Sequence, residues 1–141
     1  MHFWLLNYII FVNKPTQIAR QKGDGILNII IFGKKYDIMH AIQMSELMQF
    51  RLMRFILPES TDDYIAALQK GGADMIFVAE RGAKGMEAAI AAHDVCPKAA
   101  LVWFADDEAF GAQSYRINCR YFTAKTVTAE VVDKALSRCL K

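Results

Sequence analysis

Residues 74–104 read DMIFVAERGAKGMEAAIAAHDVCPKAALVWF. Met75-Ile76-Phe77-Val78 is continuously apolar, and so is Leu101-Val102-Trp103-Phe104. Short runs of this kind fit strands buried on both faces of a sheet. Between them Met86, Ala89, Ile90 and His93 recur on one helical face, and Pro97 opens the loop into the second run. A strand, a helix and a strand of these lengths form a crossover unit, which joins parallel strands with a right-handed turn.

The same alternation continues on both sides. Upstream, Ile29-Ile30-Ile31-Phe32 is an apolar run bounded by Gly33. The stretch Asp37 to Arg51 places Ile38, Ala41, Ile42, Ser45 and Met48 at helical spacing. Phe55-Ile56-Leu57 reads as a strand stopped by Pro58. Ser60 then caps a helix with Asp62 and Asp63 in its first turn, and Gly71-Gly72 closes it. Downstream, a helix around Phe110 to Arg116 leads to a short strand at Tyr121-Phe122-Thr123. Thr128 caps a last helix whose inner face is Val131, Val132, Ala135, Leu136 and Cys139.

Strands and helices in strict alternation predict an α/β fold of three α/β/α layers. The sheet expected is five-stranded, parallel and doubly wound, in the flavodoxin-like order 2-1-3-4-5. In such sheets ligands bind beyond the carboxyl ends of the strands. That places Gly33, Lys34, Lys35, Ala79, Glu80, Arg81, Ala105, Asp106 and Lys125 around one candidate site.

A length of 141 residues favours one core, and 54% hydrophobic against 23% charged residues supports a packed interior. The net charge of +2 is too small for a nucleic-acid surface. Cys96, Cys119 and Cys139 have no metal-like spacing and read as reduced thiols, which predicts a cytoplasmic protein. His2, His40 and His93 are far apart, so no metal site is expected. Met39, Met44, Met48 and Met53 read as core filler or as an adaptable interface. Asp106-Asp107-Glu108 reads as the acidic start of a helix.

Residues 1–25 differ from the rest and are read as an apolar extension and linker before a domain at 26–141. Phe3 to Val12 is apolar except for Asn7. It is too short for a bilayer span, which takes roughly 20 residues. It also lacks the basic start and cleavage site of a signal peptide. An extra strand or helix, packed on the domain or on a partner, is the simplest reading, and Lys22-Gly23-Asp24-Gly25 reads as the turn after it.

Specific residues carry a family resemblance over about residues 26–141. Asp74-Met-Ile-Phe-Val-Ala79-Glu80 resembles the D-L-I-F-L-D-I third strand of response-regulator receiver (CheY-like) domains. The segments from Trp103 to Phe110, Ser114 to Arg116 and Tyr121 to Thr126 are similar to receivers that precede LytTR DNA-binding domains. There the pattern runs I-T-A-x-x-E-Y-A-x-x-A-F and then D-Y-L-x-K-P.

The resemblance implies a phosphoryl site, and this chain departs from it at nearly every position. The acidic pair that would hold Mg²⁺ falls on Gly33 and Lys34. The acceptor aspartate falls on Ala79, and the hydroxyl ending strand four falls on Ala105. Lys125 is retained, but the proline after it is Thr126. The loop from Ala79 to Gly85 is also about two residues shorter than in typical members. A degenerate receiver, or pseudo-receiver, is therefore expected, with no catalytic residue, cofactor or metal.

Lys125 has two readings: it binds an anion, or, more simply, it pairs with Glu80 or Asp106. A slip of one residue would make Glu80 a mimic of a phosphorylated aspartate, although neighbouring strand residues face opposite ways. Phe122 occupies the place of a mobile aromatic and is read as a fixed core or interface residue. The resemblance also implies pairing through the fourth helix, last strand and last helix, with Tyr115, Arg116, Tyr121, Phe122, Val131 and Lys134 on that surface.

The expected function is stand-alone signalling by protein–protein interaction, with a protein partner or self as a homodimer. No nucleic-acid binding and no membrane span are expected on this chain. The alternatives are a small-anion or metabolite module using Lys34, Lys35 and Lys125, and a remnant of a LytTR-type regulator. An enzyme with new chemistry is disfavoured, because no nucleophile and base converge.

Overall fold

The computed structural model describes residues 8–12 and 25–140. Its strands are β1 (Tyr8–Val12), β2 (Leu27–Phe32), β3 (Leu52–Ile56), β4 (Met75–Val78), β5 (Ala100–Phe104) and β6 (Tyr121–Thr123). The helices are α1 (Lys35–Met44), α2 (Thr61–Lys70), α3 (Gly82–Val95), α4 (Gly111–Arg116) and α5 (Ala129–Cys139). One sheet holds all six strands in the order β1-β3-β2-β4-β5-β6. The five strands from β2 to β6 are parallel, and counted along the chain they follow the expected order 2-1-3-4-5. β1 is an addition at the edge: it runs antiparallel to β3, with Tyr8 opposite Ile56 and Val12 opposite Leu52. The rest of the expected extension and linker, 1–7 and 13–24, lies outside the described residues.

Alternation along the strands divides the interior into two layers of side chains. Ile29 and Ile31 of β2 pack with Ile38 and Ile42 of α1 and with Val132, Ala135 and Leu136 of α5. Ile30 and Phe32 turn to the other face, against Tyr64 and Leu68 of α2 and Ala88, Ala89 and Ala92 of α3. Every residue of β4 and β5 is buried, as the unbroken apolar runs require of central parallel strands. The site at the carboxyl ends therefore stands on a rigid floor.

The caps at Ser60 and Thr128 form as expected: their hydroxyls accept the backbone N–H of Asp63 and Val131 at 3.1 and 3.2 Å. Gly71 and Gly72, at φ 82° and 87°, lead the chain out of α2.

Three boundaries or faces differ from the periodicity. The first helix ends at Met44, short of the expected Arg51, because Ser45 is extended and its hydroxyl accepts the N–H of Leu47. That bond starts a separate 3₁₀ turn, Glu46–Met48. The second strand begins earlier, at Leu52, where it pairs with β1 and β2, and Leu57 is buried just beyond its end. The buried face of α3 is Gly85, Ala88, Ala89 and Ala92, while Met86, Ile90 and His93 are only half-buried. Small residues let α3 approach its neighbours closely, and the large Tyr64 of α2 fills the space that remains. Of the methionines read as core filler or interface, Met48 and Met53 are fully buried, Met39 is half-buried and Met44 is exposed.

Candidate functional site

At the end of β2 the chain turns through Gly33 (φ 92°) and Lys34 (φ 47°) into α1. Gly33 is needed there, since a Cβ on it would lie 2.5 Å from the carbonyl oxygen of Ala79. The loops after β2 and β4 thus meet backbone to backbone. Lys35 then reaches across to the loop after β3. Its Nζ donates to the Pro58 carbonyl at 3.2 Å and lies 3.0 Å from Glu59 Oε2, with the side chain only 16% exposed. Lys84, in the first turn of α3, stands 3.9 Å from Glu80 Oε1 and 5.5 Å from the centre of the Phe32 ring.

These residues line an open cleft of about 190 Å³, formed by Phe32, Gly33, Lys34, Lys35, Pro58, Glu59, Glu80 and Lys84. Its lysines and glutamates are nearly matched in number and paired across short distances. Of the expected site residues it gathers Gly33, Lys34, Lys35 and Glu80. Ala79, Arg81, Ala105, Asp106 and Lys125 do not line it. Lys84 and Glu59 were missed from sequence; a lysine in the first turn of a helix carries no signal that it folds back over a strand end.

The β5 and β6 side is organised differently. Ala105 donates its N–H to the Thr123 carbonyl at 2.9 Å, and Thr123 Oγ1 accepts the N–H of Lys125 at 3.1 Å. The Lys125 side chain is exposed. The ion pairs differ from the simplest expectation for it: Glu80 pairs with Lys84, and Asp106 with Arg81 at 3.5 Å. Asp106 Oδ1 also accepts the N–H of Gly82 at 3.0 Å. That bond, with the neighbouring Arg81 guanidinium, holds the Asp106 carboxyl below its ordinary range. Asp106 therefore serves the start of α3. It is Asp107 that opens the following turn, accepting the N–H of Ala109 at 2.8 Å.

The chemistry available is limited. Ala79, which the sequence resemblance aligns with the acceptor, is 6% exposed and carries no nucleophile. No group of three His, Cys, Asp or Glu is placed to hold a metal ion among the described residues. Burial pushes the thiols of Cys119 and Cys139 up to about 12 and about 11, and that of Cys96 upward as well. Thiols so placed are poor nucleophiles.

The predicted interface residues separate into two kinds. Tyr115 is 85% exposed, and Arg116 and Lys134 are exposed on α4 and α5. Tyr121 is half-buried, edge-on to Phe104 with ring centroids 6.4 Å apart, and the Arg138 guanidinium sits 6.0 Å from its ring centre. Phe122 is packed edge-on to Trp103 at 5.3 Å, and Val131 packs on the core under α5. The first group faces solvent; the last two are held by the core.

Comparison with known proteins gives a fold. A CheY-like receiver domain protein of Methanospirillum hungatei JF-1 superposes with a TM-score of 0.63 at 12% identity, covering 82% of this chain and 94% of that one. This chain has the receiver fold. Similar to it also is a putative CpaE2 pilus assembly protein of Sinorhizobium meliloti 1021, at TM-score 0.63 and 11% identity, over 80% of this chain and 99% of that one. The receiver domain of a modulated diguanylate cyclase from Desulfovibrio desulfuricans G20 matches at TM-score 0.57 and 17% identity, over 82% and 94% of the two chains. No family model and no curated protein matches the sequence. No helix among the described residues is long and apolar enough to cross a membrane.

Proposed function

We propose that this receiver fold is a pseudo-receiver, a signalling module that works by protein–protein association without phosphorylation. Ala79 carries the proposal. It directly follows β4, the strand that precedes the cleft wall, and its side chain has no oxygen to accept a phosphoryl group. The resemblance supports it, since it puts Lys34 where a divalent cation would need a carboxylate. With no group to gain charge, association is constitutive.

The surface of α4, β6 and α5 is the proposed contact, through Tyr115, Arg116 and Lys134, with Tyr121 at its inner margin. Tyrosine and arginine are enriched at interface hot spots. A second copy of the chain, related by a two-fold axis, is the proposed partner. The small-anion reading is weaker, because Glu59 and Glu80 already stand beside Lys35 and Lys84.

The test has two arms. Incubation with acetyl phosphate and Mg²⁺ is expected to leave the intact mass unchanged. Sedimentation at about 100 µM, where a micromolar interface is largely formed, is expected to give one dimeric mass with or without the donor. Covalent addition of a phosphoryl group, or a monomer at that concentration, overturns the reading.

A further inference from the structure

The start of α3 is held from outside its own segment. Its N-cap residue, Arg81, is extended and makes no side-chain capping bond, and Gly82 follows at φ 58°. Helix N-termini leave their first N–H groups without partners inside the helix. Here the Gly82 N–H is taken by Asp106, 24 residues away on the loop after β5, at 3.0 Å. The second oxygen of the same carboxylate lies 3.5 Å from Arg81 Nε.

Asp106 also begins the segment that leads to α4. Asp107 caps the 3₁₀ turn Glu108–Phe110, and α4 follows at once from Gly111. Phe110 lies against Trp103 at 5.4 Å between ring centroids, and Phe122 closes on the same indole at 5.3 Å. The wholly buried Trp103 approaches the first turn of α3: its Nε1 would be 3.6 Å from a Cβ on Gly85. That Nε1 has no hydrogen-bond partner among the described residues, where packing places the indole. The first turn of α3 is thus joined to the segment entering α4 by the Asp106 carboxylate and the Trp103 indole.

We propose that Asp106 is a latch that makes the β4–α3 loop and the segment entering α4 a single mechanical unit. One side of that unit is the cleft wall, with Glu80 and Lys84; the other carries Tyr115. The latch stands on the geometry alone. Its consequence for association, that Tyr115 is presented in one fixed position, rests on the function proposed above.

Hydrogen exchange on the full chain tests the latch, comparing wild type with Asp106→Ala, Asp106→Asn and Arg81→Ala. A hydrogen bond to a charged acceptor at this strength predicts that Asp106→Ala speeds exchange about tenfold. The acceleration is expected in peptides covering 81–85 and 105–112 together, with β2 and β4 unchanged. Asp106→Asn keeps an oxygen acceptor and is expected to lose less, and Arg81→Ala to change little because Arg81 is largely exposed. Should Asp106→Ala not fold, the Asn variant and Trp103 fluorescence in a Trp4→Phe background carry the test, with a change in both expected. Exchange that rises in one segment only, or in neither, overturns the latch. Sedimentation of the same samples separates the two claims: a monomeric wild type with coupled exchange defeats the association reading and leaves the latch standing.

Discussion

The phenol of Tyr64 donates a 2.6 Å hydrogen bond to the carbonyl of Ala88, tying α2 to the middle of α3. The Tyr64 ring also stacks on Phe32 of β2, with centroids 4.4 Å apart and planes inclined by 12°. One side chain thus fixes two helices and the central strand that ends at the cleft. Burial pushes the phenol far above its ordinary range, so it remains a donor at any working pH.

Tyr64→Phe keeps the stack and loses the bond, for an expected cost of about 1 kcal/mol. Tyr64→Ala also removes the ring and is expected to cost about 3–5 kcal/mol, the range for large aromatic truncations. Urea denaturation measures both. Equal losses for the two variants would show that the ring contributes nothing beyond its hydroxyl.

Gly85 is expected to reject any side chain. A Cβ there would overlap the carbonyl oxygen of Glu80, a backbone atom that cannot step aside. Gly85→Ala should therefore destabilise the fold even though alanine favours helices, and Gly82→Ala should do so through its φ of 58°. Alanine at Gly25, which has open space around it, is the control. Thermal unfolding that ranks Gly85→Ala with the control would refute the close approach of α3.

Most of the fold was legible because its signals are local. Ile29–Phe32, Met75–Val78 and Leu101–Phe104 declare buried parallel strands by composition alone, and Ser60 and Thr128 mark helix starts by one bond each. What was hidden depends on distance. Ser45 sits at a helical position in the pattern, yet its hydroxyl finds the N–H of Leu47 and ends the helix. Asp106 reads as part of the acidic start of the next helix, yet Asp107 opens that turn and the partner of Asp106 is 24 residues away. The cleft was half legible for the same reason. Gly33 and Lys34 are fixed by a strand end, whereas Lys84 enters only through the fold of α3 over Phe32.

The three cysteines are expected to be slow toward thiol reagents in the folded protein. Burial raises all three thiols, Cys119 to about 12 and Cys139 to about 11, so little thiolate exists near neutrality. Cys96 Sγ further donates to the Leu68 carbonyl at 3.3 Å. Titration with a disulfide reagent at pH 8 should show little reaction until denaturant is added, and Cys96, the least displaced from water, should react first. Rapid reaction of Cys119 in the native protein would contradict its placement.

Asp106 sets a pH dependence whose sign follows from its bonds. The Gly82 N–H and the Arg81 guanidinium favour the charged carboxylate, so its folded pKa lies below the unfolded value of about 3.9. A group lowered on folding adds stability above its unfolded pKa, and that stability is lost as pH falls through the folded pKa. Wild type should therefore be more stable than Asp106→Ala at pH 7, by a margin that does not change between pH 6 and 8. The electrostatic part of the margin should shrink below about pH 4. Thermal midpoints of the two proteins, measured from pH 7 down to pH 3, check the argument. A margin that widens on acidification would mean that Asp106 is held against its charge, and would remove it as the partner of Gly82.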